Sequence, residues 1–90
     1  MFNLIYSNQF KKDVVLLKKR GYDLELIKKV IIDLETEGYL DQYFKPHKMT
    51  GKLNGLWEAH IKPDWLIIWR KIEIDNEIWL IRTGIHSDLF

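Results

Sequence analysis

The chain has 90 residues, of which 47% are hydrophobic and 30% charged, with no cysteine and a formal net charge of +1. This length predicts one domain spanning residues 1–90, and the composition excludes a disordered chain, a disulfide framework and thiolate metal sites. Because the longest apolar run has five residues and a membrane span needs about 20, and no signal peptide is visible, we expect a soluble cytoplasmic protein.

The first half of the chain predicts one strand and two helices. A short apolar strand, NLIYS, comes first. Ser7 or Asn8 can cap the helix that follows, and Gly21 can end it. Asp23 can cap a second helix, whose apolar stripe runs to Gly38. Joined end to end, the two helices are expected to form a helical hairpin.

The second half predicts a loop and then a sheet. Pro, Gly and Asn mark residues 39–55 as a loop. Three strands follow it, over residues 56–61, 66–72 and 78–83, joined by the turns KPDW and DNE. The resulting order, β-α-α-β-β-β, predicts an α+β fold in which the helical hairpin packs on one face of an antiparallel sheet.

Basic residues are concentrated in two segments of this nearly neutral chain. Residues 11–29 hold seven basic and three acidic residues, and residues 45–71 hold six and two. A basic face made in this way attracts phosphate groups, although lysine-rich helices are also ordinary solvated surface. Lys52 and Lys62, both in the second segment, are candidate RNA-binding residues.

The chain has three histidines, all in its second half. In an antiparallel meander, the turn after the first strand and the exit of the third strand lie at the same edge of the sheet. That topology is expected to bring together His60, Asp64, Arg82 and His86, with the loop that carries His47 above them.

These residue types suit cleavage of RNA without a metal. The reaction needs a base at the 2′-hydroxyl, an acid at the 5′-oxygen and a cation that stabilises the negative charge of the phosphorane. Histidine serves as acid or base near neutral pH, and aspartate serves as a base or orients an imidazole. Each histidine alone is also typical of plain surface, and the three with Asp64 are an alternative zinc ligand set.

Two aromatic residues are candidates for contacts with RNA bases. Trp65 directly follows a turn, and Phe90 is the last residue of the chain. Proteins that bind single-stranded RNA commonly stack bases on such rings, so both are candidate stacking platforms. The alternative for each is an ordinary place in the core.

Three segments are more specific in combination than any single residue. FKKDVVLLKKRGYDLELI, HKMTGKLNGLWEAHIKPDWLIIWR and RTGIHSDLF together resemble the YafQ-like branch of the RelE/ParE superfamily, which are toxins of bacterial type II toxin–antitoxin systems. The resemblance runs from about residue 10 to residue 90. It implies a β-α-α-β-β-β toxin that cuts messenger RNA in the ribosomal A site. The implied partners are this messenger RNA, the 30S subunit and its rRNA.

The resemblance also implies site residues. The functional histidines and aspartate of the branch correspond to His47, His60, Asp64 and His86, and its arginine corresponds to Arg82. We expect His86 to be the general acid, Asp64, alone or with His60, to be the base, and His47 and Arg82 to stabilise the phosphate. The expected enzyme is a metal-independent endoribonuclease without a cofactor.

A cognate antitoxin is the other implied partner. We expect the toxin to be monomeric alone and to form a hetero-oligomer with an acidic antitoxin segment that folds on it, over the basic helical hairpin, the site or both. Two alternatives remain at this point: a non-catalytic binder with the same fold, which inhibits DNA gyrase or binds only its antitoxin, and a metal-dependent nuclease.

Overall fold

The computed structural model describes all 90 residues. The helices and strands are, in chain order, β1 (Asn3–Tyr6), α1 (Asn8–Lys19), α2 (Leu24–Glu37), β2 (His47–Lys48), β3 (Trp57–Lys62), β4 (Trp65–Ile72), β5 (Glu77–Ile85) and α3 (His86–Leu89). Two short 3₁₀ turns, Gln42–Phe44 and Gly51–Leu53, lie in the loop between α2 and β3.

The helical hairpin has the ends predicted from the sequence. Ser7 Oγ accepts a hydrogen bond from the Phe10 N–H at 2.9 Å, which caps α1. The Asp23 carboxylate accepts the Glu25 N–H at 3.0 Å and caps α2. At the other end of α2, Gly38 takes the left-handed conformation, with φ of 76°, and that conformation favours glycine at this position. Neither these two helices nor the short α3 is long and apolar enough to cross a membrane.

The five strands form one sheet in the order β1-β5-β4-β3-β2. Strand β1 runs parallel to β5, and every other neighbouring pair is antiparallel. The predicted α+β class is therefore confirmed, with two differences. The parallel place of β1 and the short strand β2, inside the predicted loop, do not follow from any local sequence pattern, because both depend on pairing between distant residues.

The core lies between the helical hairpin and one face of the sheet. Phe10, Leu17, Ile27, Val30 and Leu34 of the helices pack against Ala59, Ile61, Trp65, Ile67, Trp69, Ile78 and Leu80 of the strands, with Leu40. Full burial of an aliphatic or phenyl side chain of this kind contributes about 1.5–3 kcal/mol. The opposite face of β3, β4 and β5 does not pack against the helical hairpin.

Strand β5 continues to Ile85, two residues beyond the predicted strand, and leads directly into α3. This short helix folds back on the end of β5, since a Cβ atom added at Gly84 would lie 3.4 Å from Leu89 Cδ2. The turn carries His86 as its first residue. The C-terminal polar residues therefore belong to an ordered element rather than to a frayed end.

Candidate active site

The sheet face opposite the helical hairpin holds most of the predicted polar residues. In the strand register, His47 pairs with Glu58, Glu58 with Ile68, and Ile68 with Arg82. Residues paired across an antiparallel ladder project to the same side of the sheet. This row therefore places a histidine and a glutamate beside each other at the β2 edge.

A second row runs next to the first. His60 pairs with Leu66, and Leu66 pairs with Gly84. Leu66 is buried, and Gly84 lies under α3. The row thus joins the strand of His60 to the base of the element that carries His86. The glycine leaves room for α3 to pack closely.

His47, Glu58 and His60 form a cluster of polar side chains on this face. His47 Nε2 lies 3.2 Å from Glu58 Oε1, and its Nδ1 lies 3.2 Å from the Lys45 carbonyl oxygen. Both ring nitrogens therefore face acceptors, which fixes the orientation of the ring. The His47 and His60 rings are 6.5 Å apart between centroids. Glu58 keeps only 12% of its side chain exposed.

Glu58 is a site residue that sequence reasoning missed. The alternation of strand β3 places Glu58 and His60 on the same face, and that was the available signal. Its pairing with His47 depends on strand β2, which the sequence does not predict. The contact therefore becomes visible only in the folded chain.

His60 is oriented by the turn that follows it. Its Nδ1 lies 3.2 Å from the Pro63 carbonyl oxygen. That acceptor favours the tautomer with hydrogen on Nδ1, which leaves Nε2 with a free lone pair. Asp64 is the next residue of the same turn and is exposed to solvent. The structure thus brings His60 and Asp64 to one end of strands β3 and β4, as predicted.

The zinc alternative finds no support in the side-chain arrangement. Across the whole chain, no three histidine, cysteine, aspartate or glutamate side chains converge closely enough to hold a metal ion. His86 lies on α3, beyond Gly84, and Asp64 lies in the exposed turn after β3. The three histidines and Asp64 therefore do not form the ligand set considered above.

Arg82 is turned toward helix α1 instead of standing free for phosphate. Its Nε and Nη2 atoms donate to Asp13 Oδ2 and Oδ1 at 2.8 Å and 3.2 Å. The hydrogen bond to Asp13 raises the pKa of Arg82 above its ordinary value, so the guanidinium stays charged. Only Nη1 remains without a partner in the protein.

The prediction that Trp65 is a stacking platform is wrong, because its ring is buried in the core. Trp65 is 1% exposed, and its Nε1 donates to Thr83 Oγ1 at 3.0 Å. The Tyr22 ring packs edge-on against it at 5.2 Å. A turn residue next to a strand can point to either side of the sheet, and the register sends this one inward.

Phe90 and the two lysines remain accessible. Phe90 is 56% exposed, and its ring lies 5.0 Å from the His86 ring. Lys52 is exposed in the Gly51–Leu53 turn. Lys62 lines an open cleft of about 420 Å³ together with His60. These positions are compatible with contacts to RNA, which stay a prediction.

The comparisons with known proteins agree on one family. A family model described as "Bacterial toxin of type II toxin-antitoxin system, YafQ" matches residues 2–90. The mRNA interferase toxin YafQ of Escherichia coli K12 is 35% identical over 86 residues, covering 94% of this chain and 91% of that protein.

Solved structures show the same likeness. A metal-bound toxin from Helicobacter pylori superposes with a TM-score of 0.90 and 39% identity, with all of both chains covered. In a DinJ–YafQ complex of E. coli, the matched chain has a TM-score of 0.90 and 32% identity, with 100% of this chain and 99% of that one covered. These matches confirm the resemblance drawn from the sequence, and with it the enzyme class, an endoribonuclease.

Proposed function

The chain belongs to the YafQ family of bacterial type II toxins, and from that membership we propose that it cleaves messenger RNA in the ribosomal A site without a metal ion. The observation that carries the proposal is the His47–Glu58–His60 cluster, which lies on the sheet face where the row from His60 reaches Gly84, two residues before His86. General acid–base catalysis by these residues performs the cleavage. The toxin acts in the cytoplasm, where ribosomes are found.

The base lies at the end of strand β3. His60 Nε2 carries a free lone pair because Nδ1 faces the Pro63 carbonyl. It takes the proton of the 2′-hydroxyl, with Asp64 in the adjacent turn as the second candidate base. The 2′-oxygen then attacks phosphorus, and the bond from phosphorus to the 5′-oxygen breaks.

The acid lies on the facing element. His86 begins α3, two residues after Gly84, which shares a row with His60. Two strand spacings, about 10 Å, separate the backbones of that row's outer residues, a gap that accommodates a phosphodiester. His86 gives its proton to the 5′-oxygen, so the products are a cyclic 2′,3′-phosphate and a free 5′-hydroxyl.

The groups that stabilise the negative charge of the phosphate belong to the cluster and its surroundings. His47 is held in place by acceptors at both ring nitrogens, and it lies beside the phosphate and stabilises its developing negative charge. Lys62 next to His60, Lys52 and the free Nη1 of Arg82 add charge near the RNA backbone. Phe90 stacks on a base.

A cognate antitoxin neutralises the toxin in this proposal. An apolar groove of about 570 Å³ runs between β1, α1 and α2, lined by Leu4, Tyr6, Phe10, Val14, Leu24, Ile27, Ile31 and Ile32. Lys11 and Lys28 lie at its rim with a single acidic residue, Glu35. An amphipathic acidic segment fits both the apolar lining and the basic rim, and the E. coli relative has been crystallised in a complex with DinJ.

The docking place can be tested by charge reversal. Replacing Lys11 and Lys28 by glutamate is expected to weaken binding of the cognate antitoxin in calorimetric titration. The matched control reverses Lys18 and Lys19, which lie outside the groove. Equal losses in both variants would indicate a general charge effect, and a loss only in the control would move the docking site to the end of α1.

The catalytic proposal is tested by primer extension on a messenger RNA, with ribosomes present or absent. We expect cuts at defined codon positions that require ribosomes and disappear in His86→Gln, since loss of a general acid costs about 10²–10⁴ in rate. Cutting that persists in chelator separates the mechanism from a metal-dependent one. No cutting by folded wild type would favour the non-catalytic binder, and a gyrase supercoiling assay would then decide.

A further inference from the structure

Helix α1 contains a buried carboxylate that the proposed chemistry does not use. Asp13 is 6% exposed. Its two oxygens accept hydrogen bonds from Gln9 Nε2 at 3.1 Å, Arg82 Nε and Nη2 at 2.8 and 3.2 Å, and the Thr83 N–H at 3.1 Å. A buried charge is retained only with such a complete set of donors. Three of these four bonds go to the end of strand β5.

Asp13 supplies a hydrogen-bond acceptor to the edge of β5 beyond the point where strand β1 stops pairing. The Ser7 N–H still bonds to the Leu80 carbonyl, but farther along β5 no β1 residue is available. The next edge donor, the Thr83 N–H, bonds to Asp13 instead. The side chain of a helix thus holds the last part of a strand that leads straight into α3.

A second contact joins the other end of α1 to α3 itself. Arg20 Nη1 donates to Asp88 Oδ2. Arg20 follows Asp13 by seven residues, two helical turns, so the two side chains lie on the same face of the helix, about 10 Å apart. The charge of Asp88 also contributes to the raised pKa of Arg82.

The turn that carries His86 has few other attachments. Leu89 packs on Gly84, while His86, Ser87, Asp88 and Phe90 are exposed. Its position relative to the His60 strand therefore depends on how β5 and Asp88 are held. Strand β4 pairs with the inner side of β5. Helix α1 holds the outer edge of β5 through Asp13, and it holds Asp88 through Arg20.

We propose that Asp13 and Arg20 are positioning residues, through which helix α1 fixes His86 in register with His47 and His60. The inference rests on the proposed role of His86. Misplacement of a reacting group by about 1 Å can cost up to roughly 100-fold in rate. An exposed ion pair such as Arg20–Asp88 contributes little to global stability, so its effect on rate can be separated from folding.

The test is a charge swap. Arg20→Glu and Asp88→Arg are each expected to lower kcat for ribosomal cleavage by about 5-fold to 100-fold, with KM and melting temperature nearly unchanged. The double variant carries the wild-type net charge and restores most of the rate. The matched control is the exposed Lys29–Asp33 pair of α2, whose single reversals leave kcat unchanged.

Two outcomes would overturn the inference. Full activity of Arg20→Glu alongside an inactive His86→Gln would show that the contact does not position the acid. A double variant as slow as Arg20→Glu would show that Arg20 acts on RNA directly.

A second measurement tests the positioning role whether or not the protein cleaves RNA. The NMR signals of the His86 ring in the free protein are expected to shift in Arg20→Glu and to return in the swapped double variant, whether or not the protein cleaves RNA. Unchanged His86 signals in Arg20→Glu would contradict the positioning role. Absence of cleavage by wild type with these shifts present would contradict only the catalytic proposal.

Discussion

Nε2 of His47 lies 3.2 Å from Oε1 of Glu58, and the Lys45 carbonyl faces the other nitrogen of the same ring. Two acceptors on one imidazole hold the ring in place. This contact links strand β2 to strand β3. It also fixes the His47 ring beside His60, where a phosphate is expected to bind.

Glu58→Gln tests the value of that contact. The neutral amide is a weaker acceptor than the carboxylate, so the His47 ring is expected to lose its fixed position. We predict a decrease in kcat of about 10-fold to 100-fold in single-turnover cleavage on ribosomes. The matched control is Glu73→Gln, since Glu73 is 75% exposed and pairs with Lys71 outside this cluster. Equal rates for Glu58→Gln and wild type would contradict the role of the pair.

Trp65→Phe tests whether Trp65 belongs to the core. The change removes the hydrogen bond to Thr83 and part of a buried ring. The free energy of unfolding, measured in urea, is therefore expected to fall by about 1–3 kcal/mol. The KM for ribosomal cleavage is expected to stay the same. A raised KM with unchanged stability would restore the stacking role.

Phe90→Ala is expected to change the KM and leave stability unchanged, the reverse of Trp65→Phe. The ring is more than half exposed, so its loss leaves the unfolding midpoint nearly unchanged. If a base stacks on it, binding weakens by about 1–3 kcal/mol, which appears as a raised KM. Phe90→Trp retains a stacking surface and is the matched control. Wild-type KM in Phe90→Ala would remove this residue from the RNA contact.

Asp13→Ala is expected to be the most destabilising of these changes. It leaves the Arg82 guanidinium and the Thr83 N–H without their acceptor. Loss of one partner of a buried pair costs roughly 3 kcal/mol, which lowers the melting temperature of a domain this size by about 10–25 °C. Asp33→Ala, at an exposed helix pair, is the control and is expected to melt close to wild type.

Local rules account for the parts of the fold that were predicted. The caps of Ser7 and Asp23 connect residues two or three positions apart, and the left-handed end at Gly38 needs only one residue. The period of two along β3 puts Glu58 and His60 on one face. The family motifs added the identity of the candidate residues, including His86 and Phe90.

The sequence by itself thus determined the helical hairpin and the meander of strands, because capping and periodicity act over a few neighbouring positions. The candidate catalytic residues came from the family motifs and stay a prediction. Only the tertiary structure decided that Trp65 points into the core, that β1 pairs in parallel with β5, and that Asp13 holds Arg82, 69 residues away. These contacts depend on sheet register and on where a helix crosses a strand. A shift of one residue in either would exchange the two faces, and no local pattern records that choice.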